Sequence, residues 1–177
     1  MFLSIPMAHQ MSTLFTILDG TKNKQMLKVM RPYQVYATKA VLNELKRADF
    51  DLPINKLGYV WHTTGSGKTI TSFKTAWLAS RMPNVDKVVF VVDRIALTKQ
   101  TEANYKAYDP EGSIDIDGKQ FDTVGGTENT SALKKKLNEK GYGIIVTSVQ
   151  KLNTLINRKD FVVPKKNFVF IVDEAHR

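Results

Sequence analysis

A short run of glycine, lysine and hydroxyl-bearing residues in the first half of the chain has the composition of a phosphate-binding loop. Its members are Thr63, Thr64, Gly65, Ser66, Gly67, Lys68 and Thr69. The two glycines allow a tight curl that brings backbone N–H groups close to an anion, and the positive end of a following helix adds to the attraction. Lys68 offers a positive charge for the terminal phosphates of a nucleotide, and the Thr69 hydroxyl is a ligand for Mg²⁺. The run therefore predicts a site for ATP and Mg²⁺.

The residue that precedes this run departs from the usual pattern of a phosphate loop, because His62 stands where glycine is common. That position joins a strand to the loop and contributes least to phosphate contact, so the prediction of a phosphate site holds. The alternative is a chance turn rich in glycine and serine.

A pair of carboxylates near the end of the sequence supplies the second half of such a site. Asp173 and Glu174 directly follow the apolar run FVFIV. Asp173 can hold Mg²⁺ through water, and Glu174 can orient and deprotonate the attacking water, which is the pairing that nucleotide hydrolysis needs. Two adjacent acids after a strand are often solvated turn residues, but beside an independent phosphate loop they indicate hydrolysis. The predicted catalytic residues are Lys68, Asp173 and Glu174, with Thr69 and Asp173 on the metal.

Strands and helices alternate along the segments that must position these groups. Apolar runs predict strands at residues 57–61, 87–92, 144–147 and 168–172. Helical patterns begin at Pro32, at Lys68, just after Asp93, at Ser131 and at Val149. This alternation predicts an α/β fold with a mostly parallel sheet and helices on both faces.

Three local patterns refine this prediction. Asp93 precedes a helix and can cap it. Val149, Leu152 and Ile156 mark the apolar face of the last helix. Residues 114–121 alternate around a central Asp-Gly pair, which is typical of a small hairpin.

The overall composition limits the class of protein. The chain has 177 residues, a formal net charge of +9 and no cysteine. The excess of positive charge favours a polyanionic partner, although a basic solvated surface is an equal alternative. The absence of cysteine excludes disulfides and thiolate metal sites. The sequence shows no signal peptide and no apolar run of membrane-spanning length, so we expect a cytoplasmic protein without a membrane partner.

Five segments together resemble the restriction (R) subunit of type I restriction–modification enzymes, whose motor belongs to superfamily two of the helicases and translocases. They are RPYQ at 31–34, VWHTTGSGKT at 60–69, VVDRIALTKQ at 91–100, VTSVQKL at 146–152 and VDEAHR at 172–177. In that family a histidine at the position of His62 is normal. The resemblance covers residues 27–177 and implies the first RecA-like motor domain, a phosphate-loop NTPase fold. Residues 1–26 would be a lead-in from an upstream nuclease domain.

The resemblance assigns roles to further residues. Arg31 and Gln34 would contact the adenine. The DNA backbone would be gripped, without sequence reading, by Arg94, Gln100, Thr147 and Ser148. His176 would couple ATP hydrolysis to these DNA-side segments.

Simpler structural roles stay open for several of these residues. Gln34 could be an ordinary polar residue at a helix start. Thr147 and Ser148 could be caps at the end of a strand, and His176 could be a buried structural histidine.

The activity that the resemblance implies is hydrolysis of ATP, with Mg²⁺, to translocate double-stranded DNA before endonucleolytic cleavage. The implied partners are DNA, the methylation (M) and specificity (S) subunits, and a second motor domain and a nuclease domain of the same full-length chain. Two alternatives stay open: the motor domain of another superfamily-two DNA helicase, and a nucleotide-gated binding module that hydrolyses nothing.

The position of the acid pair at the end of the sequence leads to a further expectation. In related ATPases, a strand that follows the acid pair lies between the phosphate-loop strand and the acid-pair strand. We therefore expect the domain to be incomplete at its C-terminus, with a gap in the sheet between LGYVW and FVFIV. Direct pairing of these two segments would contradict the expectation.

Overall fold

The computed structural model describes residues 5–20, 25–52 and 57–175, which form six helices and eight strands. The helices are α1 (Ile5–Thr13), α2 (Pro32–Arg47), α3 (Lys68–Ala79), α4 (Ile95–Tyr108), α5 (Thr130–Asn138) and α6 (Val149–Ile156). The strands are β1 (Thr16–Asp19), β2 (Met26–Val29), β3 (Lys87–Val92), β4 (Ser113–Ile116), β5 (Lys119–Asp122), β6 (Val124–Gly126), β7 (Ile144–Ser148) and β8 (Phe168–Val172). No helix within these ranges combines the length and apolar character that crossing a membrane requires.

The central sheet has four parallel strands in the order β6-β7-β3-β8. The other two sheets are antiparallel pairs, β1 with β2 and β4 with β5. All six residues of β3 are buried, as expected for a continuous apolar run that lies in the middle of a parallel sheet. The carboxyl ends of β3, β7 and β8 therefore lie along one edge, where ligands of such sheets collect.

The two faces of β3 contribute to two separate hydrophobic clusters. Val88, Phe90 and Val92 pack in the cluster that contains residues of α2, α3 and α4. Val89 and Val91 pack in the cluster that contains Leu133 and Leu137 of α5 and Leu155 of α6. Because side chains alternate along a strand, one apolar strand serves both clusters. The α/β fold, the parallel sheet and the helices on both of its faces are confirmed.

The predicted strand at residues 57–61 is wrong. These residues have no strand structure, and Tyr59 and Trp61 are 89% and 82% exposed. An isolated strand is not stable, because its backbone groups need a neighbouring strand. Among the described residues β8 pairs with β3 alone, and the pairing of LGYVW with FVFIV that would have contradicted a gap is not seen.

Several smaller predictions about single elements are also corrected. Asp93 does not cap α4, whose N-cap is Arg94 without a side-chain hydrogen bond. The buried face of α6 centres on Leu155, whereas Val149 and Ile156 are exposed. The antiparallel pair β1–β2 and the strand β6 were not predicted. The predicted hairpin is confirmed as β4–β5, with Asp117 and Gly118 at positive φ in its turn.

Candidate active site

The loop before α3 has the backbone geometry that phosphate binding requires. Gly67 is the N-cap of α3 with φ 81° and ψ 40°, and Gly65 has φ 76°. Both values lie in the left-handed region that glycine adopts without strain. A Cβ on Gly67 would also lie 2.5 Å from Nε2 of Gln34, so a side chain there would have to displace the Gln34 amide. The backbone therefore curls tightly just before the N–H groups at the start of α3, which are the groups that would bind a phosphate.

The acid pair lies opposite this loop. Strand β8 ends at Val172, and the backbone N–H of Asp173 donates to the carbonyl oxygen of Val91 at 2.9 Å, which extends the pairing with β3 by one residue. Glu174 follows at φ 52°, and its N–H donates to Oδ1 of Asp173 at 3.1 Å. The chain therefore turns sharply where the strand ends, and this turn sends Glu174 back toward α3.

Lys68 and Glu174 meet directly. Nζ of Lys68 lies 2.5 Å from Oε1 of Glu174, and the two side chains are 41% and 29% exposed. The structure thus brings the predicted phosphate-binding lysine together with the predicted catalytic acid. An ion pair with this much exposure contributes little to stability.

The donor set fits a nucleotide with its magnesium ion. Backbone N–H groups of residues 65–69 and the Lys68 ammonium would hold phosphates, and Thr69 and Asp173 would hold the ion. Within the described ranges no cluster of three or more histidine, aspartate or glutamate residues could hold a metal by itself. Mg²⁺ in phosphate-loop sites needs no such cluster, because substrate phosphates and water supply most of its ligands.

A cleft of about 460 Å³ opens beside the loop. Its walls come from two segments, Arg31, Tyr33 and Ala37 on one side and residues 60–66 on the other. Arg31 therefore borders the space next to the phosphate loop, and its contact with a base stays a prediction.

Gln34 is placed differently from Arg31. It is buried, and its Oε1 accepts a hydrogen bond from the backbone N–H of Arg31 at 2.8 Å. Its Nε2 donates to the carbonyl oxygens of Ser66 at 3.0 Å and Gly67 at 3.4 Å. The amide thus fastens the start of α2 to the phosphate loop, and contact with adenine stays a prediction.

Comparisons with known proteins identify the family. Residues 33–177 match the family model described as SWI2/SNF2 ATPase. A type I restriction enzyme endonuclease subunit of Mycoplasma pneumoniae, described as a C-terminal part, is 42% identical over 161 residues, which cover 85% of this chain and 73% of that protein. The corresponding subunit of Staphylococcus saprophyticus is 37% identical over 171 residues, or 95% of this chain and 16% of that protein.

The chain belongs to the endonuclease subunits of type I restriction enzymes. It contributes their SWI2/SNF2-type ATPase domain, and it spans 16% of the length of the staphylococcal relative. The resemblance noted from the sequence is thereby confirmed, and an ATPase domain uses a nucleotide.

A solved structure supports the fold. A nuclease-deletion mutant of the Type ISP restriction–modification enzyme LlaGI, in complex with a DNA substrate mimic, superposes with a TM-score of 0.54 at 23% identity. The match covers 85% of this chain and 15% of that one. It agrees with the α/β architecture of this ATPase domain.

The four residues expected on the DNA side of this restriction-enzyme domain divide into two pairs. Arg94 and Gln100 are exposed at the start and on the first half of α4. Thr147 and Ser148 are both 0% exposed. Their hydroxyls are used inside the protein, because Thr147 lies 3.0 Å from the hydroxyl of Thr127 and Ser148 accepts from the N–H of Lys151 as the cap of α6.

Ser148 is thus a cap, as in the structural alternative, whereas Thr147 is not a cap and bonds to Thr127 instead. Neither buried hydroxyl is presented to solvent in this structure, and their contact with DNA stays a prediction. The side chain of Gln150 donates to the carbonyl oxygen of Asp93 at 3.0 Å and joins the starts of α6 and α4. His176, the predicted coupling residue, lies outside the described residues.

Two residues around the loop were not predicted to act there. The Tyr33 hydroxyl donates to the carbonyl oxygen of Ser66 at 2.8 Å. Nδ1 of His62 lies 2.9 Å from the Ser66 hydroxyl. The departure of His62 from the common loop pattern was a signal that could have indicated a specific contact.

Proposed function

We propose that this chain is the ATP-binding motor domain with which a type I restriction endonuclease subunit hydrolyses ATP to translocate double-stranded DNA before cleavage. The observation that carries the proposal is the contact between Lys68 and Glu174, 2.5 Å apart at the carboxyl edge of a parallel sheet. This contact supports a single small site in which Lys68 would bind phosphate and Glu174 would be the general base. Membership in the restriction-enzyme family supports translocation of double-stranded DNA as the process that ATP hydrolysis would drive.

The roles of the groups follow from their positions. Backbone N–H groups at the start of α3 would bind the phosphates, with Gly65 and Gly67 permitting the close approach. Thr69 and Asp173 would hold Mg²⁺, which supplies charge neutralisation on the phosphates when bound. Arg31 and Gln34 would lie beside the adenine.

The ion pair between Lys68 and Glu174 has a consequence for catalysis. Nζ of Lys68 lies 2.5 Å from Oε1 of Glu174, so the ammonium would compete with an attacking water for that carboxylate oxygen. Triphosphate oxygens would compete for Lys68 and draw it away. Glu174 would then be able to orient and deprotonate the attacking water. Binding of substrate therefore prepares the base.

The DNA contact of the proposal rests on charge and exposure. The chain has a formal net charge of +9, and Arg94 and Gln100 lie exposed on α4, which follows the carboxyl end of β3. Contacts of this kind grip phosphates and do not read sequence. Sequence recognition would belong to the specificity subunit, methylation to the methylation subunit and cleavage to a nuclease domain. A second motor domain would complete the ATP site.

The test is ATP turnover by the natural full-length subunit, with and without double-stranded DNA. We expect DNA to stimulate turnover, and Lys68→Ala or Asp173→Asn to abolish the stimulated rate. Lys135→Ala is the matched control, since Lys135 is an exposed lysine of α5 away from the site. A full-length subunit that binds ATP but shows no DNA-stimulated turnover would instead be a nucleotide-gated binding module.

A further inference from the structure

The peptide bond between Ser66 and Gly67 is held by two side chains from the first turn of α2. The carbonyl oxygen of Ser66 accepts from the Tyr33 hydroxyl at 2.8 Å and from Nε2 of Gln34 at 3.0 Å. The orientation of the Gln34 amide is itself determined, because its Oε1 accepts from the N–H of Arg31. Two donors from a rigid helix start therefore converge on one oxygen of the loop.

Peptide geometry converts this contact into an effect on the phosphate site. In a planar trans peptide the C=O and N–H bonds point in opposite directions. Donors that draw the Ser66 oxygen toward α2 thus direct the N–H of Gly67 away from α2. Gly67 is the residue before α3, where backbone N–H groups bind phosphate. Because glycine tolerates most backbone conformations, this peptide could rotate if nothing held it.

The side chain of Ser66 is held by two residues of the loop itself, His62 and Thr63. Its hydroxyl donates to the carbonyl oxygen of Thr63 at 2.7 Å, so the contact with His62 at 2.9 Å has Nδ1 of the imidazole as the donor. The backbone N–H of Ser66 also donates to the Thr63 oxygen at 3.2 Å. Desolvation and the positive charge of Lys68 lower the pKa of His62, which keeps the imidazole neutral at physiological pH. The neutral ring therefore carries its proton on Nδ1.

We propose that Tyr33 and His62 are positioning residues for the nucleotide phosphates: together they clamp Ser66 so that the N–H of Gly67 points at the β- and γ-phosphates of a nucleoside triphosphate. The inference rests on the proposed nucleotide site and goes beyond it, because neither side chain need touch the nucleotide. Tyr33 also lines the cleft beside the loop. The same residue thus borders the proposed space for the base and contacts the loop proposed to bind the phosphates.

Tyr33→Phe tests the first arm of the clamp, because it removes the hydroxyl and keeps the ring. The measurement is calorimetric binding of AMP-PNP, a non-hydrolysable triphosphate, and of AMP to the full-length subunit. We expect the Kd for AMP-PNP to rise roughly 3- to 10-fold, the range for loss of one hydrogen bond. The Kd for AMP should stay unchanged, since AMP lacks the β- and γ-phosphates. Tyr59→Phe, the same change on a side chain that is 89% exposed, should alter neither affinity.

The second arm is tested by rescue. His62→Ala should raise the Kd for AMP-PNP by a similar factor, and His62→Asn should restore most of the affinity because its amide can donate from a position close to that of Nδ1. A general loss of packing would not be rescued by asparagine. The proposal is wrong if AMP and AMP-PNP weaken equally in Tyr33→Phe, or if neither changes while the unaltered subunit binds both. Failure of the unaltered subunit to bind AMP-PNP would contradict the nucleotide site itself.

Discussion

The carboxyl edge of the central sheet has two halves that use their polar side chains in opposite ways. In the first half, beside the phosphate loop, Lys68 and Glu174 are 41% and 29% exposed and contact each other. In the second half, at the end of β7, Thr147 and Ser148 are 0% exposed and bond within the protein. The family resemblance assigned a nucleotide to the first half and DNA to the second. In this structure only the first half has exposed polar side chains that a ligand could contact.

The difference shows what polar groups at such an edge can do. A hydroxyl that caps a helix or joins two strands stabilises the fold, and a buried polar group without such a partner would be costly. A charged side chain with substantial exposure contributes little to stability and stays able to change partners. The exposed charged groups of the first half are therefore able to bind a ligand, whereas the buried hydroxyls of the second half stabilise the fold.

The largest expected effect separates activity from stability in the first half. Glu174→Gln should lower DNA-stimulated ATP turnover of the full-length subunit by about 100-fold or more, the lower range for loss of a general base. Its free energy of unfolding should change by less than about 1 kcal/mol, because the ion pair with Lys68 is partly exposed. Steady-state kinetics and urea unfolding measure the two quantities. A large loss of stability with intact turnover would reverse the assignment of this half.

The second half should show the opposite behaviour. Ser148→Ala removes the cap of α6, and Thr147→Val removes one of two partners of the Thr127 hydroxyl, the other being the carbonyl oxygen of Val146. Each should lower the free energy of unfolding by roughly 1 kcal/mol, within the range for a cap or a buried hydrogen bond. Thr154→Ala, on an exposed part of α6, should cost no more than about 0.5 kcal/mol. If DNA affinity falls instead and stability does not, these hydroxyls do contact DNA.

The smallest expected effect concerns the exposed residues next to the second half. Arg94→Ala should weaken DNA binding by a few-fold and reduce the slope of log affinity against log salt by about 1, as loss of one phosphate contact does. Gln100→Ala should weaken binding less and leave the slope unchanged, because glutamine carries no charge. Lys135→Ala serves as the control of equal charge. Fluorescence anisotropy over a series of salt concentrations measures both the affinity and the slope. An unchanged slope in Arg94→Ala would mean that Arg94 does not contact a DNA phosphate.

Elements whose local composition reflects their structure were predictable from the sequence. The apolar run of β3 and the Asp-Gly turn of the β4–β5 hairpin were located at the observed residues, because continuous burial and positive φ leave marks in composition. The segment at 57–61 has an equally apolar pattern but no strand structure. Its composition favours a strand, but a strand forms only where a neighbouring strand pairs with its backbone. The face of α6 was wrong for a related reason: a short helix with apolar residues on several sides is oriented by what packs against it.

The sequence by itself determined the chemistry that this chain can offer: two glycines and a lysine before a helix, and two acids after a strand. Those are local patterns, and the residues that form them lie close together in the chain. Only the tertiary structure decided which groups meet. It brought Glu174 to Lys68 and Tyr33 to Ser66, and it buried Thr147 and Ser148 at an edge where exposed hydroxyls were expected. Contacts between residues far apart in the chain depend on how helices pack on the sheet, and no short pattern encodes that packing.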